Sequence, residues 1–335
     1  MAEISGGVPQ PRWQTLLAGI QQRERKSLAR SISLVENRAP GFRDLLTELY
    51  PRGRGTFRVG ITGPPGAGKS TLVDALAGML AEEGKSVGVV AVDPTSPFTG
   101  GALLGDRVRM GDLSSNERVY IRSMATRGRS GGVAAATRDA CAVLDAYGFD
   151  WILVETVGVG QIEIEVMNVC DVVCAVFVPE SGDGIQALKA GLIEVAHVFL
   201  INKADRPGAS QLASELEQAL KPRRDLDTWS YPVLLTEAVH RLGIGEWRAR
   251  LEDLRSHLDG TGRLEAGRQR QALADLENVL RERLHQYLST QAASQEGWTG
   301  LADRLAKGQL DPHQGADLVW ERWLKSLSTT KSGDT

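Results

Sequence analysis

Phe57-Arg58-Val59-Gly60-Ile61-Thr62 runs straight into Gly63-Pro64-Pro65-Gly66-Ala67-Gly68-Lys69-Ser70-Thr71, which is followed by Leu72, Val73, Leu76 and Leu80. The first six residues are an apolar run of strand length, and the last four recur at helical spacing. The segment joining them matches G-x-x-x-x-G-K-[ST] between a strand and a helix, the context that gives the pattern meaning. Glycines let successive backbone N–H groups turn inward around phosphate oxygens, at a helix N-terminus whose dipole favours anions. The reading therefore assigns Gly63, Pro64, Pro65, Gly66, Ala67, Gly68, Lys69, Ser70 and Thr71 to a nucleotide. Lys69 is expected to reach the β- and γ-phosphates, and the Ser70 hydroxyl to ligate Mg²⁺.

From Phe57 onward, short apolar runs alternate with helical patterns: Phe57 to Thr62, Val87 to Val92, Trp151 to Val154, Val172 to Val178, Val198 to Ile201 and Val233 to Leu235. That alternation predicts an α/β fold, a P-loop NTPase domain with a mostly parallel sheet covered on both faces, over residues 56–265. Ligands of such sheets sit at the C-terminal strand ends. Before it, Trp13, Leu16, Leu17 and Ile20, then Leu28, Ile32 and Val35, then Leu45, Leu46 and Leu49 predict three short helices, an N-terminal extension over 1–55. Pro51-Arg52-Gly53-Arg54-Gly55 breaks that pattern and marks the boundary. After it, Leu273, Leu276, Leu280, Leu284 and Leu288 predict a long amphipathic helix within a C-terminal arm, 266–335. That helix reads equally as packing on its own domain or as a dimerisation arm.

Two strands end in acids, Val90-Ala91-Val92-Asp93 and Trp151-Ile152-Leu153-Val154-Glu155. Beside a phosphate loop, such carboxylates can hold Mg²⁺ and orient water. Glu155-Thr156-Val157-Gly158 has the form of a loop sensing the γ-phosphate, with Gly158 offering its N–H and Val159-Gly160-Gln161 free to follow. Asp106, Arg107 and Arg109 lie in a glycine-rich stretch able to meet phosphates or metal. Phe199-Leu200-Ile201 leads into Asn202-Lys203-Ala204-Asp205, the N-K-x-D pattern that selects guanine. Asp205 would accept from guanine N1–H and its 2-amino group, donors that adenine lacks, and Lys203 would lay its stem on the purine. GTP and GDP are the ligands this predicts.

Bulk properties exclude several classes. Lys+Arg 39 against Asp+Glu 42 gives no field for nucleic acid or an anionic membrane. No apolar run approaches the ~20 residues that a spanning helix needs, and no signal-peptide pattern opens the chain, so a cytoplasmic protein, or the mature part of an organellar one, is expected. Cys141, Cys170 and Cys174 are an odd number without paired spacing, read as small buried hydrophobes in a reducing compartment.

Together these motifs resemble the MeaB/ArgK branch of the G3E GTPases, named for the glutamate that Glu155 supplies in place of the usual aspartate. The resemblance extends through Val92-Asp93-Pro94-Thr95-Ser96-Pro97, Leu104-Gly105-Asp106-Arg107, Ser181-Gly182-Asp183-Gly184-Ile185-Gln186-Ala187-Leu188-Lys189 and Glu282-Arg283-Leu284-His285-Gln286. It implies a homodimeric GTPase chaperone of an adenosylcobalamin-dependent acyl-CoA mutase, methylmalonyl-CoA mutase or a close relative. The resemblance further implies that such a chaperone gates cobalamin delivery from an adenosyltransferase. By matching position, Ser70, Asp93, Asp106 and Glu155 become the metal and water set, with Lys69, Asp93 and Glu155 catalytic. Gln161, Asp183, Gln186 and Lys189 become the switch residues that read the partner. The base-contacting loop, Glu237-Ala238-Val239, carries glutamate where the family has serine, which leaves contact through the Ala238 backbone. A metallochaperone-type GTPase and a P-loop phosphotransferase are the competing readings.

Overall fold

The computed structural model describes residues 12–93, 116–125, 132–156, 167–179, 191–224, 228–293 and 297–330. Contacts divide the chain into two compact units, Met1–Ala272 and Leu273–Thr335.

Seven parallel strands form the sheet of the first unit: β1 (Phe57–Thr62), β2 (Val87–Asp93), β3 (Val119–Ala125), β4 (Trp151–Thr156), β5 (Val172–Phe177), β6 (Val198–Asn202) and β7 (Val233–Thr236). Their order is β3-β2-β4-β1-β5-β6-β7, with every neighbouring pair parallel. β4 and β5 are buried along their whole length, which explains why they read as continuous apolar runs rather than alternating ones. Phe57, Ile61, Phe177 and Phe199 are among the largest fully buried side chains.

The strand that apolar runs did not predict is β3, Val-Tyr-Ile-Arg-Ser-Met-Ala. It is an edge strand, half-exposed through Tyr120 to Ser123. Its polar Arg122 and Ser123 therefore cost little there but break the pattern. Arg122 bonds Glu36 and Ser33, while Arg25 donates to the carbonyls of Asn116, Glu117 and Val119, so the edge is covered by side chains from the N-terminal helices.

Those helices are α1 (Arg12–Gln21), α2 (Arg25–Glu36) and α3 (Phe42–Leu49). Leu28, Ile32, Val35, Leu45 and Leu49 are buried in the same hydrophobic cluster as the sheet. The connection that follows is held in place, because Asp145 Oδ1 accepts from Arg54 N, Thr56 N and Thr56 Oγ1 at 2.7 to 3.0 Å. Around the sheet lie α4 (Lys69–Glu82), α5 (Gly132–Tyr147), the single turn α6 (Leu192–Val195), α7 (Ala209–Arg224) and α8 (Ile244–Gly260). Trp247 of α8 is fully buried and donates its indole N–H to Cys174 Sγ at 3.4 Å.

The long helix expected beyond residue 265 is α9 (Arg263–Ala293), followed by α10 (Gly297–Ala306) and α11 (Pro312–Thr330). Its first turns belong to the first unit, where Arg268 makes a bidentate pair with Asp171 at 2.7 and 2.8 Å and Gln271 donates to Cys170 O. Leu273, Leu276, Val279 and Leu280 further along are exposed. In the second unit Trp323 packs against Trp320 and Tyr287, with ring centroids 4.7 and 6.2 Å away.

Candidate functional site

β1 ends at Thr62 and α4 begins at Lys69, so the intervening turn sits at the C-terminal edge of the central strand. Gly68 caps α4 in a left-handed conformation, φ +85, and a Cβ there would lie 2.3 Å from Asn202 Nδ2. A Cβ on Gly63 would come within 2.3 Å of Val176 O. Both positions need glycine for close approach of chain to chain, whereas a Cβ on Gly66 would meet nothing within 4 Å. Lys69 is buried, and its Nζ donates to Gly63 O at 2.7 Å and Pro64 O at 2.9 Å. The ammonium thus lies against the loop whose ligand it would meet.

One residue further, Ser70 Oγ donates to Glu155 Oε1 at 2.6 Å. The bond joins the first turn of α4 to the end of β4, the strand between β1 and β2, where Glu155 stands opposite Ile61 and Ala91. Glu155 is 3% exposed. Asp74, one helical turn beyond Ser70, is pushed up to about 7 by burial and then by the charge of Glu155. The site therefore concentrates negative charge and hard oxygen donors beside a phosphate loop, an arrangement suited to a small divalent cation.

β6 delivers Asn202, which is buried and ties two loops together. Its Nδ2 donates to Ala67 O at 2.8 Å, and its Oδ1 accepts from Ala238 N at 3.1 Å. Ala204 N bonds Thr236 O at 3.1 Å, so the segment after β6 is held against the end of β7. Lys203 takes a left-handed backbone, φ +59. Asp205 and Val239 are exposed, Val239 at 80%. Glu237 and Leu242 exchange backbone hydrogen bonds at 3.1 and 3.2 Å, which closes the base-side loop as a tight bridge.

A family model described as methylmalonyl Co-A mutase-associated GTPase MeaB matches residues 28–293. The chain belongs to the MeaB family of GTPases. It is 43% identical over 307 residues to a protein of Pyrococcus abyssi named as a GTPase, an alignment covering 91% of this chain and 94% of that one. It is 40% identical over 278 residues to GTPase ArgK of Escherichia coli K12, covering 80% and 84%. The crystal structure of a LAO/AO transport system kinase superposes with a TM-score of 0.72 at 30% identity, over 95% of this chain and 99% of that one.

In this MeaB-family P-loop GTPase the fold brings Gly63 to Ser70, Glu155, Asn202 and Ala238 to one edge of the sheet. Asp106, Gly158, Gln161, Asp183, Gln186 and Lys189 lie outside the described residues, and Asp93 is described only as the last backbone position of β2, paired with Ala125. The Ala238 N–H, expected to serve the base, is directed at Asn202 Oδ1. Asp74 went unread as a member of the site. Its signal is the i, i+4 spacing from Ser70, which puts it on the same helix face. All three cysteines are buried and free, with the Cys141 and Cys174 thiols pushed by burial to about 11 and about 12 and Cys170 well above its ordinary value. Such thiols are inert as nucleophiles and metal ligands.

Proposed function

We propose that this GTPase works with Mg²⁺ as a chaperone of an adenosylcobalamin-dependent acyl-CoA mutase, methylmalonyl-CoA mutase or a close relative. It gates cofactor loading and protects or reactivates the loaded enzyme. The observation that carries the catalytic half is the 2.6 Å contact between Ser70 and Glu155, which places a hydroxyl and a carboxylate together next to Lys69. The partner half is supported by the family description.

The donor set fits Mg²⁺: Ser70 Oγ and the Glu155 carboxylate are hard oxygens within one hydrogen bond of each other, and Asp93 and Asp106 complete the proposed set. When bound, the ion supplies charge neutralisation at the phosphates. The chain's own residues do the rest. Backbone N–H groups of Gly66 to Thr71 donate to phosphate oxygens at the start of α4, while Pro64 and Pro65, which have no N–H, shape the turn. Lys69 exchanges its carbonyl partners for the β- and γ-phosphates, placing one positive charge where negative charge shifts during transfer. Glu155 and Asp93 hold and orient the attacking water, and Gly158 meets the γ-phosphate and releases it after hydrolysis. Asn202, Lys203 and Asp205 take the guanine, with Glu237, Ala238 and Val239 closing over it. Gln161, Asp183, Gln186 and Lys189 carry the nucleotide state to the mutase, with a cobalamin adenosyltransferase as the upstream donor. A homodimer is the proposed assembly and the cytoplasm the proposed compartment.

Phosphate release from GTP, measured with and without a purified adenosylcobalamin-dependent acyl-CoA mutase and with ATP as control, tests the proposal. GTP-selective turnover that the mutase accelerates is expected. Turnover indifferent to every such mutase removes the partner while leaving the GTPase.

A further inference from the structure

Thr62 and Thr156 end two neighbouring strands. β1 and β4 pair in parallel with Ile61 opposite Glu155, so the next residue on each, Thr62 and Thr156, stand side by side. Thr156 Oγ1 donates to Thr62 Oγ1 at 3.2 Å, and the two residues are 1% and 0% exposed. Their lateral neighbours in the sheet are apolar: Val92 pairs with Thr156, and Ala175 pairs with Thr62. A valine would match the shape of either threonine without burying a hydroxyl. Burying polar groups in an apolar layer is unfavourable unless they bond, and a bonded pair there specifies geometry more than it stabilises.

The geometry in question belongs to the site. Thr62 directly precedes Gly63, the first residue of the phosphate loop, and Thr156 directly follows Glu155, which accepts the Ser70 hydroxyl. Strand alternation sends Glu155 and Thr156 to opposite faces. One face of the end of β4 thus bears the carboxylate, while the other is tied sideways to the root of the phosphate loop.

We propose that Thr62 and Thr156 are a positioning pair, holding the end of β4 in register with the phosphate loop so that Glu155 stays aligned with Ser70 through turnover. This rests on the hydrolytic role proposed for Glu155. A shift of about 1 Å in a catalytic constellation can cost roughly a hundredfold in rate, and loss of one lateral bond permits a smaller displacement.

Steady-state GTP hydrolysis by full-length Thr156→Val, Thr62→Val, the double variant and Thr156→Ser tests this, alongside GDP affinity and thermal melting. Each single valine variant is expected to lose about tenfold in kcat, with KM and GDP affinity within about twofold of wild type. Thr156→Ser restores most of the rate. The double variant separates positioning from stability: with both hydroxyls gone neither is left stranded by loss of the other, so the melting temperature moves back towards wild type relative to the single variants, yet kcat stays low. If kcat recovers together with the melting temperature, or stays within about twofold of wild type in both single variants, the proposal is overturned. Thr62→Val removes the acceptor of this bond and carries the test should Thr156→Val not fold. Glu155→Gln distinguishes the two readings. With Glu155 essential, Thr156→Val adds nothing in that background; if Glu155→Gln hydrolyses GTP like wild type, the Glu155 role fails while a loss in Thr156→Val still reports on the pair.

Discussion

Ser70 donates a short hydrogen bond to Glu155, 2.6 Å between the oxygens. Glu155→Gln keeps the shape but removes the charge proposed to hold a cation, so kcat for GTP is expected to fall by about a hundredfold or more, measured by phosphate release at saturating Mg²⁺. Wild-type hydrolysis in that variant would remove Glu155 from the mechanism. Asp74 gives a pH prediction at the same scale. Its carboxyl is raised from 3.8 to about 7, first by burial and then by Glu155. Between those values the folded protein keeps a proton that the unfolded chain has lost, so this group's contribution to stability falls as pH rises towards 7. Asp74→Asn abolishes that penalty: in metal-free buffer its melting temperature should gain on wild type as pH goes from 5 to 8. A difference independent of pH would show that Asp74 titrates normally. Ser70, Lys69 and Asn202 were legible because each belongs to a motif with fixed spacing. Asp74 and Thr62 belong to no motif, and Thr156 fills a motif position that the pattern leaves open; their importance comes from what stands across from them.

At the scale of elements, the strands that carry the site were readable because burial on both faces demands unbroken apolar runs, as in β4 and β5. β3 was not, because an edge strand tolerates Arg122 and Ser123 when α2 supplies Glu36 and Ser33 to meet the guanidinium. The root of α9 makes a comparable point. Arg268 satisfies an Asp171 side chain that is 1% exposed and also donates to Gly55 O and Thr56 O, joining a helix to two segments distant in sequence. Arg268→Ala leaves a buried carboxylate short of its charge partner, and a loss of roughly 3 kcal/mol is expected in urea unfolding of the whole chain. A loss under about 0.5 kcal/mol would place the pair among ordinary surface ion pairs. Its effect on GDP affinity should be small, because the pair lies at the N-terminal end of β5, opposite the phosphate loop.

For the whole molecule, the apolar row Leu273, Leu276, Val279 and Leu280 is exposed on α9 in the single chain, which bears on the proposed homodimer. Leu276→Asp with Leu280→Asp is expected to convert a dimer to a monomer by light scattering, with intrinsic GTP turnover changed less than about twofold. A mass unchanged by the substitutions would move the dimer interface elsewhere. Local chemistry was enough to determine the fold class, the phosphate loop and the family, because glycine spacing, apolar run length and N-K-x-D each follow from contacts within a few residues or with the ligand itself. Only the tertiary structure decided that the Ala238 N–H faces Asn202, that Arg268 finds Asp171, and that two threonines 94 residues apart bond to each other. Those contacts depend on strand order and parallel register, which bring distant segments side by side and leave no periodic trace in the chain.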